Sequence, residues 1–261
     1  MNSPSRLFGK LANTKFPHFL QCFLNKMYVK IFDIDMERFE ESNPCQYPTL
    51  KDLFIRRKKD IEIYDDDDVV ISPCDALVTE CGEIIDNKAY QIKGKNYKIE
   101  ELIPYKTYLE NGFFINLYLS PADYHRYHTP IDMQIISATH IPGHLYPVNM
   151  PSLNKRDNLF IKNERVVVKC KDSKDRFFYF VAVGALNVGK IFFTFDDKIN
   201  TNISGSEITT YEYENLFMKK GDELGRFEMG STILLFFGKE HFKYLNQKEK
   251  VEVGDILGEI Y

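Results

Sequence analysis

The chain has 261 residues, 44% of them hydrophobic, with 21 Phe, 16 Tyr, no Trp and a net charge of −4. That length and apolar share support a substantial core in one large body. No apolar run approaches the roughly 20 residues of a membrane span, and the N-terminus lacks a signal peptide's unbroken apolar core and small-residue cleavage site.

Charge is unevenly spread. Residues 1–32 hold Arg6, Lys10, Lys15, Lys26 and Lys30 and no acid, a charge of +5 that leaves −9 for the rest. Apolar pairs recur every four residues there, at Phe19/Leu20, Phe23/Leu24, Met27/Tyr28 and Ile31/Phe32. The spacing predicts an amphipathic helix, and Pro17 suits its start. An aromatic stripe on a basic helix fits an interfacial membrane anchor. From pattern alone it fits a helix packed on its own core equally well.

Further along, short helices are expected over 49–57, 99–103 and 240–245. Strands are expected over 69–72, 77–81, 112–119, 131–140, 166–170, 177–185, 190–195, 224–227, 232–237 and 256–261. The fold class that follows is α+β, mostly β: a compact two-sheet or barrel-like body with an N-terminal amphipathic helical segment. Asp65 to Asp68 read as a solvated loop, with calcium a minor alternative. Cys22, Cys45, Cys74, Cys81 and Cys170 are an odd set without a CxxC pair. They read as free thiols in a reducing compartment.

Three segments carry chemistry. In Met229-Gly230-Ser231-Thr232, a Gly-Ser bond stands at the lip of the apolar run Ile233 to Phe237. Gly230 offers an unhindered carbonyl and tolerates strained backbone angles. The Ser231 hydroxyl can attack that carbonyl. If the resulting ester eliminates, Ser231 becomes an N-terminal pyruvoyl ketone. Taken alone, the stretch is weak evidence for such chemistry, and a Ser-Thr pair in a turn is the more ordinary reading. The second segment is Ser120-Pro121-Ala122-Asp123-Tyr124-His125-Arg126-Tyr127-His128-Thr129-Pro130, following the strand 113–119. Its two histidines, three apart in a stiff turn, can aim at one place. Zinc has no third ligand at suitable spacing. The third is Ser72-Pro73-Cys74-Asp75, a strand running into a turn with a carboxylate at its end. Ser, His and Asp are the parts of a nucleophile-activating triad, whatever their order in the chain. Cys74 reads as a small buried residue rather than a nucleophile.

From Thr49 onward the chain resembles the bacterial, pyruvoyl-dependent phosphatidylserine decarboxylase family. The resemblance runs through Leu50-Lys51-Asp52-Leu53-Phe54-Ile55-Arg56-Arg57, Ser72-Pro73-Cys74-Asp75, Gln91-Ile92-Lys93-Gly94 with Tyr97, and the histidine segment. It continues through Pro142-Gly143-His144-Leu145 with Val148-Asn149, Asn163-Glu164-Arg165, Val183-Gly184-Ala185-Leu186-Asn187-Val188-Gly189 and Gly230-Ser231-Thr232. Ala76, Met133, Met229 and the stretch Ile61-Glu62-Ile63-Tyr64 depart from the family pattern. They affect local turns and remove no reacting group.

The basic helical pattern gives a membrane-associating segment 1–48, and the resemblance implies a catalytic β-rich domain 49–261. It implies self-cleavage between Gly230 and Ser231 into a large chain 1–230 and a small pyruvoyl chain 231–261, held as a heterodimer. Asp75 would orient His128, and His128 would take the Ser231 proton. His125 would serve decarboxylation, as an acid or as a contact to substrate. The pyruvoyl ketone would form a Schiff base with phosphatidylserine, and loss of CO₂ would yield phosphatidylethanolamine. No metal and no nucleic acid enter this scheme. A diacyl substrate favours the membrane reading of the basic helix, and so a peripheral place on the cytoplasmic face of the cell membrane. Higher assembly is left open.

Two other readings remain. Lys220-Gly221-Asp222-Glu223-Leu224-Gly225 echoes Val253-Gly254-Asp255-Ile256-Leu257-Gly258. Such turns occur in lipoyl and biotinyl carrier modules, where Asp197-Lys198 could mimic the carrier lysine. That leaves His125 and His128 unexplained. A serine hydrolase that keeps Ser231 intact would lack the Gly-x-Ser-x-Gly elbow.

Overall fold

The computed structural model describes residues 11–107, 109–186, 190–203, 206–228, 231–239 and 241–261. Helix α1, His18–Ile31, starts at Pro17 as its spacing predicts. Its buried residues are polar: Gln21 donates to Asn25 Oδ1 (2.8 Å), and Asn25 Nδ2 donates to the carbonyls of Pro44 (2.8 Å) and Tyr47 (3.0 Å). The apolar stripe faces outward instead, with Phe19 76%, Phe23 58%, Met27 42% and Ile31 66% exposed. One member of each apolar pair thus faces away from the body, while Tyr28 and Phe32 turn towards it.

The same packing overturns the expectation of five free thiols. Cys22 on α1 and Cys45 in the turn Pro44–Gln46 are joined as a disulfide, while Cys74, Cys81 and Cys170 are free. An odd count does not exclude one pair, and the Asn25 hydrogen bonds bring the two elements together.

Helix α2, Leu50–Phe54, begins at Thr49, whose Oγ1 accepts the Asp52 N–H at 3.1 Å. That cap satisfies an orphan helix donor and fixes where Phe54 points. Between the helices, Tyr28, Val29 and Phe32 pack with Met36, Phe39, Leu53 and Tyr124.

The strands in chain order are β1 Val69–Ile71, β2 Ala76–Glu83, β3 Lys88–Ile92, β4 Lys95–Lys98, β5 Phe113–Leu119, β6 Arg126–His128, β7 Met133–Ile141 and β8 Arg165–Asp172. They continue as β9 Phe177–Val183, β10 Ile191–Phe193, β11 Thr209–Met218, β12 Glu223–Phe227, β13 Ser231–Phe237, β14 Phe242–Tyr244, β15 Lys250–Val251 and β16 Ile256–Ile260. Eight form one antiparallel sheet in the order β11-β7-β8-β9-β13-β5-β2-β15, open at both edges. Two three-stranded sheets, β1-β16-β14 and β10-β12-β6, and the hairpin β3-β4 accompany it. The mostly β body with an N-terminal helix is thus present, built of packed open sheets rather than a closed barrel.

The central strand β13 explains the continuous apolar run. Ile233, Leu235 and Phe237 enter the core shared with Tyr127, Phe193 and Phe227. Leu234 and Phe236 enter a second core with Tyr97, Leu102 and Phe160. Both faces are covered, so alternation disappears and all seven residues are buried. Each such side chain contributes roughly 2 kcal/mol by leaving water. A chain bond cut at the head of β13 would leave these contacts and both flanking ladders in place.

The expected helix over 240–245 is overturned. Phe242–Tyr244 is a strand paired with β16, because Phe242 stacks on Phe237 at 4.2 Å between ring centroids. The short 99–103 helix is present as Ile99–Leu102. Strand β11 and the β3-β4 hairpin had no apolar signature: β11 is mostly exposed, and β3-β4 turns at Lys93-Gly94, with Gly94 at φ 82°.

Candidate active site

Ser231 opens β13, opposite Leu119 at the end of β5. It is fully buried, and among the described residues its Oγ has no hydrogen-bond partner; the same holds for Thr232 Oγ1 and His125 Nε2. Unsatisfied buried polar atoms are costly, and two of these, Ser231 Oγ and Thr232 Oγ1, are adjacent at the start of β13. Gly230 and Met229 lie outside the described residues, as do Asn187, Val188 and Gly189.

Leaving β5, the chain turns at Ser120, whose N–H donates to Asp123 Oδ2 at 2.7 Å. The Asp123 carbonyl accepts the His125 Nδ1–H at 2.8 Å. A carbonyl only accepts, so the proton sits on Nδ1 and Nε2 carries a bare lone pair. The ring lies on Phe54, with centroids 3.9 Å apart. Desolvation first, and the nearby Arg56 guanidinium second, push its pKa down to about 3. His125 is therefore neutral, an acceptor rather than a resident acid. Its backbone carbonyl receives the Phe227 N–H at 2.9 Å, which ties this turn to the approach to Ser231.

His128 ends β6. Its N–H donates to the Pro73 carbonyl at 2.8 Å, its Nδ1–H donates to the Gly221 carbonyl at 2.8 Å, and Nε2 accepts the Tyr124 hydroxyl at 3.1 Å. Desolvation is the main cause lowering its pKa; the Gly221 carbonyl and Glu223 oppose it. Both histidines thus share one tautomer, with Nε2 basic, but no partner in common.

Asp75 Oδ1 accepts Lys58 Nζ at 2.7 Å and the Val253 N–H at 2.9 Å. The expected Asp75–His128 hydrogen bond is replaced by the Gly221 carbonyl, which sets the tautomer in its place. Cys74 is fully buried, and desolvation raises its thiol pKa well above the ordinary value, which leaves it inert as a nucleophile.

The internal echo finds its use here. Gly221 N donates to Thr129 O (3.0 Å), and Thr129 N donates to Asp222 O (2.9 Å). In the second copy, Gly254 N donates to Ser72 O (3.0 Å), and Ser72 N donates to Asp255 O (2.7 Å). The two Gly-Asp turns clasp the strand ends that bear His128 and Asp75. Gly221 has φ 85°, and a Cβ there would stand 2.7 Å from Ile63 Cδ1, so only glycine can present that carbonyl to His128.

Sequence reasoning gave no role to Lys58, Tyr124, Gly221 or Phe54. Lys58 sits among Arg56, Arg57 and Lys59, and nothing in that run marks it as the nearly buried lysine. The Gly221 signal was present in the echo.

A family model for phosphatidylserine decarboxylase matches residues 50–259. The proenzyme of that name from Helicobacter pylori (strain J99 / ATCC 700824) is 48% identical over 263 residues, covering 100% of this chain and 97% of the relative. The chain belongs to the phosphatidylserine decarboxylase family. A proenzyme from Campylobacter jejuni is 47% identical, covering 90% of each chain. One from Francisella tularensis subsp. holarctica (strain FTNF002-00 / FTA) is 35% identical, covering 95% of this chain and 90% of the relative.

Proposed function

We propose that this chain is a phosphatidylserine decarboxylase that matures by cutting itself between Gly230 and Ser231. The observation that carries the reading is the buried, unpartnered Ser231 hydroxyl at the head of an interior strand. A hydroxyl with no structural bond to lose is free to react, and the unpartnered Thr232 hydroxyl leaves a donor for a carbonyl made at that position.

In maturation, Ser231 Oγ adds to the Gly230 carbonyl carbon as His128 Nε2 takes its proton. The proton passes to the departing Ser231 nitrogen, and the amide becomes an ester. Loss of the Ser231 α-proton expels the Gly230 carboxylate and leaves dehydroalanine. Water then replaces its nitrogen, which departs as ammonia. His128 is oriented for this by Gly221, with Asp75 acting through the surrounding charges rather than by direct contact.

The pyruvoyl group supplies a conjugated ketone that accepts electrons from the carbon losing CO₂. His125, neutral and rigidly placed by Asp123 and Phe54, offers Nε2 as an acceptor to the bound headgroup or to a proton in transit. Burial around it excludes water from the reacting carbon.

The membrane assignment rests on α1. Its outward stripe, the +5 charge of residues 1–32 and an apolar cavity of about 370 Å³ lined by Leu11, Phe16, Leu24, Met27, Tyr28 and Ile31 support a peripheral place on an anionic surface. We place this on the cytoplasmic face. Among the described residues no helix is long and apolar enough to cross a membrane. Tyr28 donates to the Pro121 carbonyl at 2.8 Å, so the 1–48 segment touches the histidine turn of the 49–261 body.

Purified protein run on a denaturing gel and incubated with phosphatidylserine vesicles tests the reading. Two bands and release of phosphatidylethanolamine are expected. One band with no decarboxylation contradicts it.

A further inference from the structure

Lys58 is 9% exposed, a burial lysine rarely reaches without a partner. Its Nζ donates to Asp75 Oδ1 at 2.7 Å, lies 5.6 Å from the Tyr124 ring centre and is 3.6 Å from Glu252 Oε2. Backbone bonds hold it: Lys58 bridges to Phe39, and the Lys59 N–H donates to the Arg38 carbonyl at 3.1 Å. Asp75 and Tyr124 are the two partners of Lys58 that bear on the reading of His128. One is the carboxylate expected to orient it, and the other occupies its Nε2.

We propose that Lys58 is a positioning residue for maturation: it draws the Asp75 carboxylate into an ion pair beside Val253 and leaves His128 to the Gly221 carbonyl and the Tyr124 hydroxyl. This rests on the reading of His128 as the base for Ser231. The charged groups facing His128 are Lys58, the Arg126–Glu223 pair (2.5 Å) and, behind Lys58, Asp75 and Glu252. Removing the ammonium takes away a cation that disfavours imidazolium. It also frees a carboxylate that favours imidazolium. Both changes act in one direction, so His128 protonates at higher pH and is lost as a base sooner on acidification.

The test titrates the His128 ring by NMR in full-length Ser231→Ala protein, which keeps one chain whatever the fate of the cleavage reading. Lys58→Met should raise the midpoint by about one pH unit. Lys58→Arg, which restores the charge, should return it to the parent value. In an Asp75→Asn background the shift caused by Lys58→Met should shrink. Where the methionine variant does not fold, Lys58→Gln substitutes and is expected to move the midpoint the same way. With Ser231 restored, the acid limb of the self-cleavage rate should move by the same amount. An unmoved midpoint overturns the proposal, as does an equal shift with and without the Asp75 carboxylate. A wild-type chain that never cleaves overturns the function reading instead, and the NMR result then separates the two failures.

Discussion

The Tyr124 hydroxyl and His128 Nε2 stand 3.1 Å apart, with their rings stacked at 5.8 Å between centroids. Because the His128 Nδ1–H is committed to Gly221, the tyrosine must be the donor, and it covers the lone pair that Ser231 needs. Tyr124→Phe removes that cover at a cost of about 1 kcal/mol, the net value of one hydrogen bond. Self-cleavage should then proceed unslowed, or faster by up to roughly fivefold. A time course on denaturing gels checks this. Slowing by more than about tenfold would mean that Tyr124 relays the proton rather than masking the base.

His125 separates the two stages. His125→Ala should cleave into two fragments yet decarboxylate poorly, since its Nε2 is assigned to the second reaction. Full decarboxylation by the variant removes His125 from the mechanism.

The same residue sets a pH dependence of stability. Its folded pKa, about 3, lies below the ordinary value of 6.5. The unfolded chain therefore binds the extra proton between those values, and stability falls as pH drops below about 6.5. The loss approaches 1.4 kcal/mol per pH unit for one such group. His125→Gln should flatten the slope of melting temperature against pH between 4 and 6. An unchanged slope would assign the acid loss to other groups.

Asp75→Asn breaks a buried pair, with side chains 5% and 8% exposed in Lys58 and Asp75. Leaving the ammonium with only the half-exposed Glu252 at 3.6 Å should cost about 3 kcal/mol, read as a lower midpoint in urea unfolding. Cleavage should slow as well. Normal stability with slow cleavage would point to a direct role at His128 instead.

Much of this molecule can be read from its sequence, and the failures have physical causes. Strands such as β13 and β9 show because both faces are buried and the residues are continuously apolar. Strand β11 hides because it is an edge strand: Glu212 and Glu214 face solvent, and Tyr211 and Tyr213, beside and between them, are only half-buried against the core. Ser231, His125 and His128 stand out by residue type and spacing. The pairing of Asp75 with Lys58 does not, since it depends on a loop from residue 58 meeting a turn at residue 75. Periodicity correctly located α1 but could not say which side faces in. That is decided by the buried Gln21 and Asn25 and their bonds to the 44–47 turn.

The outward stripe leads to a test of the membrane assignment. Replacing Phe19, Phe23 and Met27 with Ser should leave a soluble chain that still cleaves, because these side chains support no core. Binding to anionic vesicles should fall sharply. In the wild type, binding should weaken as salt rises, since surface charge is screened over about 8 Å at physiological ionic strength. Vesicle flotation at two salt concentrations measures both. A triple variant that is insoluble or uncut would place the stripe in a core instead.

The intact mass of the purified wild-type chain, beside that of Ser231→Ala, tests self-maturation most directly. The account predicts two fragments, 1–230 and 231–261, with the smaller one lighter than the serine-ended peptide by the mass of ammonia. Ser231→Ala should give one full-length mass with undiminished stability, since the lost hydroxyl has no partner. A wild-type chain that stays whole, or a small fragment that still begins with serine, would contradict it.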